Sequence, residues 1–598
     1  MTDTGETTRP GGSNPAGFDI DGAVDISGAD PDPALVEIVR NQLHDVAEEM
    51  QASVMNSAYS PLWQEAGDLS CAVVTPSAEI VGQSERVVPI HIATMTSSIS
   101  AAIEGTGGHD ALEPGDILLQ NDPYAGNNHL PDFVMAQPIF VDDDLLGFAA
   151  VRAHWVDIGG SSPTSYSTET GEIIKEGLRV PPAKLYDGGE LNAALRNVIL
   201  ANTRDRDERV GDMNAQISGV RRGHDRLVEL AGKHGVESLA AAMDTVLSND
   251  ERLMRNRIAE LPDGTYEAAD YLDGDGMTDE LIRIAASLEV DGDEISVDFA
   301  GSDPQVLGGV NSPIACTRTA TYYAVKVTLD PGKPGTTGSY RPISVSAPSG
   351  SVVNPEYPAP VVAGNHETAT RVHDAVLKAI VEIDPELGFG AGDGSSNVFN
   401  YSSLESGALN YTCMGGGMGA CPGRDGINAI RSGVGNTGIQ MIERVEETYD
   451  FVTVEEFSLV TDTGGPGRNR GGCTVRRVLR FDDPTMVVTT GERAKTQPFG
   501  VDGGEGGASA VHRLFHPDGR EETLPSKVTR EVAPGSRVHF QPAGGGGFGD
   551  PTERPPENVA EDVRNGYVSL AAAREAYGVV LDEETLEVDR EATEELRG

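Results

Sequence analysis

Three observations predict a multi-lobed α+β protein, with β-rich mixed sheets between an N-terminal amphipathic helix and a helical C-terminal segment. Helical spacing of apolar residues is confined to the two ends and a few interior stretches. Most of the remainder is short apolar runs broken by turn residues, in a chain holding 72 Gly and 36 Pro. At 598 residues the chain is also too long for one simple core, so about three to five domains are expected.

Residues 1–30 read as a disordered acidic tail. Its opening, MTDTGETTRPGGSNPAGFDIDG, has neither the basic nor the apolar region of a signal peptide. Asp32-Pro33 reads as an N-cap followed by proline in the first turn. Val36, Val39, Leu43, Val46, Met50 and Val54 then recur every three or four residues along one helix face. From Leu69 to Val81 and from Ile117 to Trp155 the pattern changes to strands. DILLQ, FVMAQPIFV and LLGFAAVRAHW read as three consecutive strands, joined by the NDPYAGNNHLPD loop and by Asp142-Asp143-Asp144. Residues 190–260 return to helix around Ile199, Ile217, Leu227 and Leu230, and Asp291-Gly292 marks a hairpin. A helix fits 366–383, glycine-rich β-like sequence runs on to 544–551, and ENVAEDVRNGYVSLAAAREAYG reads as helical. The expected domains are 31–225, carrying the candidate metal site described below; 226–330, helix plus hairpin; 331–440, mixed and glycine-rich; 441–555, β-rich; and 556–598, helical.

Charge narrows the function classes. Asp and Glu number 94 against 45 Lys and Arg, a net charge of −49. Such a surface repels itself unless salt screens it, so the composition reads as a salt-adapted cytoplasmic protein. No basic stripe is available to neutralise phosphates, which argues against nucleic acid or an anionic membrane as partner. No apolar run approaches the ~18 residues needed to span a bilayer. Cys71, Cys316, Cys413, Cys421 and Cys473 are odd in number and form no C-x-x-C pair, against a disulfide framework or structural zinc.

Several chemistries lack their motifs. No lysine sits in a phosphate-binding loop, and no G-x-S-x-G elbow is present. Gly390–Gly394 and Gly415–Gly419 do not join a convincing strand to a helix, and the ligand positions after Asp273-Gly274-Asp275-Gly276 fail for calcium. The positive signal is His129, Asp132 and His154. Pro131 keeps the first pair off an ordinary helix. His154 lies 22 residues after Asp132, at the end of the third strand, so three consecutive strands in one sheet bring it back beside the loop. Two imidazoles and a carboxylate suit a divalent transition metal (Mn, Zn or Fe) with positions left open. Asp122 and Asp157 flank them as candidate catalytic base or orienter, and Gly126, Gly159 and Gly160 allow close backbone approach. The competing reading is a surface turn in an aspartate-rich chain. His366, Glu367, Arg371 and His373 form a second cluster, read as a solvated helix face.

At these residues the chain resembles the hydantoinase B family, from about residue 32 to the C-terminus. The resemblance is carried by GDLSCAVV (67–74), GDILLQNDPYAGNNHLPD (115–132), RAHWVDIGG (152–160), KEGLRVPPAKLY (175–186), GNHETATRV (364–372), GGPGRNRGG (464–472) and GGGGFGDP (544–551). It implies metal binding at His129, Asp132 and His154, and an A-type partner subunit with an actin-like fold that supplies ATP. That division of labour accounts for the missing phosphate loop. The chain departs from the family at Gly126-Asn127-Asn128, where Gly-Gly-Thr is usual, at Trp155, where a second histidine is common, and at His366, commonly apolar.

The resemblance therefore implies the B subunit of an ATP-dependent cyclic-amide hydrolase acting on hydantoin- or oxoproline-type lactams within a hetero-oligomer. The second reading is a subunit of an ATP-dependent ketone carboxylase of the acetone or acetophenone type. A non-haem iron oxygenase shares the ligand set, and a non-catalytic structural or metal-storage subunit is a fourth reading.

Overall fold

The computed structural model describes Phe18 and residues 20–332, 334–431 and 433–598. The expected tail falls outside the described residues up to 17 and at 19. Helix α1, Pro33–Ser57, starts where Asp32 accepts a hydrogen bond from Ala34 N–H at 2.8 Å, and it buries Val36, Val39, Leu43, Val46, Met50 and Val54. The chain forms two compact units. The first comprises the chain up to Tyr166, Thr170–Glu267 and Ala285–Val372; the second comprises Ser167–Glu169, Ala268–Ile284 and His373–Gly598.

The first unit is built on a seven-stranded sheet of β1 (Leu69–Val74), β2 (Ile80–Gln83), β3 (Ile117–Gln120), β4 (Asp132–Val141), β5 (Asp144–His154), β6 (Ala183–Asp187) and β7 (Glu190–Leu191). Their order is β2-β1-β5-β4-β3-β6-β7, and every neighbouring pair is antiparallel. The three strands expected in succession are thus adjacent. β4 turns into β5 through Asp142 and Asp143, whose φ angles are 51° and 76°. Helices flank the sheet: α2 (His91–Gly105), α3 (Ala193–Ala201), α4 (Arg206–His234), α5 (Val236–Ile258) and α6 (Ile314–Leu329). On one face Gln216 of α4 donates to the carbonyls of Phe133 and Val151 at 2.8 and 2.9 Å. On the other, α2 offers Thr94 and Ser98 to Arg152 of β5. Covered on both faces, β4 and β5 are almost continuously buried rather than alternating.

The sequence reading did not anticipate α2 and α6. Each buries polar side chains among apolar ones, His91, Thr94 and Ser98 in α2 and Thr317, Thr319 and Thr321 in α6, which blurs the helical period. The α6 run is also rich in β-branched residues of modest helix propensity. The segment expected as helix over 366–383 opens with a wide π-type turn, Gly364–Thr368, before α7, Ala369–Ile383.

A four-stranded sheet follows: β8 (Gly264–Leu272), β9 (Ile282–Asp291), β10 (Glu294–Asp298) and β11 (Ile343–Ser346), ordered β11-β10-β9-β8. The expected Asp291-Gly292 turn joins β9 to β10, with Gly292 at φ 61°. The second unit holds two further sheets. One orders β13 (Leu409–Asn410), β12 (Val398–Ser403), β16 (Thr485–Thr490) and β19 (Lys527–Val532). The other orders β14 (Val452–Leu459), β15 (Val475–Phe481), β20 (Arg537–Gln541), β17 (Val511–Phe515) and β18 (Glu521–Thr523). Phe399, Tyr401, Phe481 and Phe540 are central to its core. Helices α8 (Ile442–Thr448), α9 (Pro556–Arg564), α10 (Leu570–Glu575) and α11 (Arg590–Arg597) complete the elements.

The glycine-rich segments of this unit pack backbone against backbone outside any strand. Gly417 N–H donates to Ala543 O at 3.0 Å, Gly545 to Gly472 O at 2.9 Å, Gly472 to Met418 O at 2.8 Å and Gly546 to Ala391 O at 2.8 Å. A Cβ on Gly545 would lie 2.0 Å from Met418 O, and one on Gly417 would lie 1.9 Å from Gly472 O. Only glycine permits this spacing. Gly545→Ala is expected to destabilise the second unit by about 3 kcal/mol through backbone overpacking. Gly232→Ala, at a helical position where a Cβ meets nothing within 4 Å, is expected to stabilise by about 0.5–1 kcal/mol. Thermal or urea melts of the two variants check this; equal effects would contradict it.

Candidate metal centre

Register places the first ligand pair. Asp132, first residue of β4, lies directly opposite His154, last residue of β5, and directly opposed side chains in an antiparallel pair project on one face within reach of each other. The loop before β4 supplies His129 and is braced from within. Asn127 Nδ2 donates to Asp132 O at 2.7 Å and to His129 O at 3.1 Å, and Asn121 Nδ2 donates to Leu130 O at 2.7 Å. Asn128 Oδ1 accepts from His129 N–H at 2.8 Å while its Nδ2 donates to Asp132 Oδ2 at 2.6 Å. Asn127 and Asn128, which depart from the family pattern, are therefore fully buried loop braces.

His129 Nε2 lies 2.8 Å from Asp132 Oδ1, His154 Nδ1 lies 3.0 Å from the same oxygen, and the two nitrogens are 3.2 Å apart. All three residues are at most 2% exposed. They form the one group of at least three His, Cys, Asp or Glu ligand atoms within 4.8 Å of one another among the described residues. His129 Nδ1 is 2.8 Å from Val362 O. A carbonyl only accepts, so Nδ1 carries the proton and the neutral ring turns its Nε2 lone pair toward a carboxylate oxygen. Two acceptors 2.8 Å apart in a buried site need a cation or an added proton between them, so the donor set fits a metal.

Polar groups that the sequence reading missed surround the three. His91, the first residue of α2, places Nε2 3.0 Å from Asp132 Oδ2. Burial lowers the His91 pKa, against the pull of Asp132. Although burial opposes it, the positive charge of an added proton on His129 or His91 holds the Asp132 carboxyl well below its usual range. Arg152, fully buried on the same face of β5 as His154, is bound by the hydroxyls of Thr94 and Ser98, and burial pulls its pKa down to about 10. Tyr166 sets its ring 6.2 Å from those of both His129 and His154, and its hydroxyl 3.1 Å from His366 Nε2. His366 Nδ1 in turn meets Glu367 Oε1 at 2.8 Å. The helix-face reading of the second cluster is overturned here, since His366, Glu367, Arg371 and His373 are all buried. Helical spacing gave no sign that this end of α7 would be enclosed.

Asp122 and Asp157 sit in the loops around this centre. Asp122 caps the Pro123–Ala125 turn through Tyr124 N–H at 3.0 Å and lies 3.7 Å from Arg179 Nε. Asp157 accepts from the backbone of Gly159, Thr164 and Arg204, each at 3.0 Å, and from Arg204 Nη1 at 2.7 Å. Glu176, from the KEGLR motif, is fully buried; its Oε1 accepts from Val361 and Val362 N–H at 2.8 and 3.0 Å, and so holds the strap whose carbonyl orients His129.

Burial outweighs those two N–H donors and pushes the Glu176 pKa up to about 8. The folded state thus binds this proton more tightly than the unfolded chain, so the contribution is fully present below the unfolded carboxyl range and is lost as pH rises through about 8. Glu176→Gln keeps an acceptor for the strap and removes the titration. The wild-type chain is therefore expected to lose more melting temperature than the variant between pH 5 and pH 9; parallel losses would contradict this.

A family model described as hydantoinase B/oxoprolinase matches residues 32–551. The caprolactamase subunit beta of Pseudomonas jessenii is 31% identical over 575 residues, spanning 92% of this chain and 96% of that one. The crystal structure of the ATP-dependent caprolactamase from the same organism matches with a TM-score of 0.87 at 31% identity, over 95% of this chain and 99% of its own. An acetone carboxylase in a nucleotide-free structure matches with a TM-score of 0.85 at 19% identity, over 95% of this chain and 82% of that one, a likeness of fold alone. With the motifs, the sheet and these matches in agreement, the chain belongs to the hydantoinase B/oxoprolinase family.

Proposed function

We propose that this chain is the metal-binding subunit of an ATP-dependent cyclic-amide hydrolase and works with an A-type, ATP-binding partner subunit. The observation that carries the reading is the convergence of His129 Nε2, His154 Nδ1 and Asp132 Oδ1 in a buried corner. Family membership and the similarity to a caprolactamase beta subunit support the substrate class and the partner.

An unstrained amide is a poor electrophile. Phosphorylation of its oxygen on the partner subunit makes that oxygen a leaving group, and this chain then receives the activated species. His129, Asp132 and His154 hold a divalent ion. When bound, that ion polarises the electrophile or lowers the pKa of the attacking water. Tyr166 and the buried walls limit bulk water, while Asp122 and Asp157 hold the loops around the ligands. Cytoplasmic residence fits the reading, and no helix among the described residues is long and apolar enough to cross a membrane.

Two measurements test this. The purified complex with its partner is expected to hydrolyse a lactam or hydantoin only with ATP, and His129→Ala to lower that rate at least ~100-fold. Lactam hydrolysis unaffected by His129→Ala overturns the reading, and ATP-dependent incorporation of labelled bicarbonate into a ketone replaces it with the carboxylase. In the chelator-treated chain, Mn2+ is expected to raise the melting temperature of the wild type but not of His154→Ala; an equal rise in both contradicts the ligand assignment.

A further inference from the structure

The two oxygens of Asp132 are used differently. Oδ1 faces His129 and His154, whereas Oδ2 meets His91 Nε2 at 3.0 Å and Asn128 Nδ2 at 2.6 Å. The His91 contact has a fixed direction. Ser70 Oγ accepts from Val88 N–H at 3.0 Å and lies 2.9 Å from His91 Nδ1. Asp132 Oδ2 only accepts, which leaves Nδ1 of a neutral His91 as the acceptor of the Ser70 hydroxyl hydrogen. The ring proton of a neutral His91 is then on Nε2 and is donated to Asp132 Oδ2. Val88, Ser70 and His91 form one chain of hydrogen bonds that ends on the acceptor Asp132, every member buried. It links β1, which carries Ser70 in the GDLSC motif, to the start of α2 and the start of β4. His91 stands outside the group of ligand atoms that lie within 4.8 Å of one another, on the far oxygen of the carboxylate.

We infer that His91, held by Ser70, is a positioning residue that confines Asp132 to ligation through Oδ1 alone. The inference rests on the metal reading above and adds its selectivity. A carboxylate free to turn both oxygens inward favours larger cations that accept bidentate oxygen ligands, such as Ca2+. One held to a single oxygen leaves the two imidazoles dominant and favours transition ions. Asn128 shares Oδ2 but reaches it from within the ligand loop, whereas His91 ties it to two other elements.

The test is metal binding by the full-length chain, read by competition with a fluorescent chelator for Mn2+ and for Ca2+. His91→Ala and Ser70→Ala are each expected to weaken Mn2+ binding about 10–100-fold and to narrow the preference for Mn2+ over Ca2+. His91→Gln, whose side-chain amide reaches the place of Nε2, is expected to recover most of the loss. Pulsed EPR of the Mn2+-loaded proteins is expected to count two coordinated imidazoles in the wild type and in every His91 variant. Unchanged Mn2+ affinity in His91→Ala, with binding abolished in His154→Ala, overturns the inference while leaving the metal reading intact. A nitrogen count that falls by one in His91→Ala also overturns it, because His91 is then a ligand. A wild-type chain that binds no Mn2+ overturns both. Matching melting curves of the metal-free variants exclude misfolding, and Ser70→Ala carries the test if His91→Ala does not fold.

Discussion

The pairing of Asp132 with His154 across β4 and β5 is the constraint on which the site depends. A slip of one strand by one residue would turn Phe133 or Ala153 into the corner and send the carboxylate and imidazole to opposite faces. Much of the first unit holds that register. Both faces of the two strands are covered, Gln216 binds their carbonyls from one side, and α2 binds Arg152 from the other. The third ligand needs a separate device, because His129 lies on a loop. Three asparagines and the strap at Val361 and Val362 provide it by satisfying the loop's backbone and fixing the ring's tautomer.

The burial of the site gives its electrostatics their weight. Water does not screen the approach of His129 Nε2 to Asp132 Oδ1, so the arrangement is costly until a cation joins it. Arg152, bound to Ser98, places a second positive charge nearby, while His91 turns a single proton toward the far carboxylate oxygen. These groups belong to motifs that read as unremarkable sequence: Ser70 lies in a hydrophobic strand and Arg152 two residues before a ligand.

What was legible in the chain follows from this physics. The helix from Asp32-Pro33, the three successive strands and the Asp291-Gly292 turn announce themselves through local periodicity and turn chemistry. The convergence of His129, Asp132 and His154 was legible only in part: two short connections allow it, and the family resemblance set it above the surface-turn reading. His91 was not: it arrives on a helix whose polar residues face a buried polar layer, which sequence periodicity reads as noise. The enclosure of His366 and Glu367 was equally hidden, because burial there depends on residues some two hundred positions away, Tyr166 among them. The backbone-to-backbone glycine packing of the second unit left only a compositional trace, since it has no side-chain period at all.

The central claim is that a metal ion sits between His129, Asp132 and His154. Anomalous X-ray scattering from Mn2+-soaked crystals, recorded on both sides of the manganese absorption edge, tests it most directly. The account predicts one strong peak bonded to His129 Nε2, Asp132 Oδ1 and His154 Nδ1 in the first unit. A map with no peak there, or with the ion held by other residues, would contradict it.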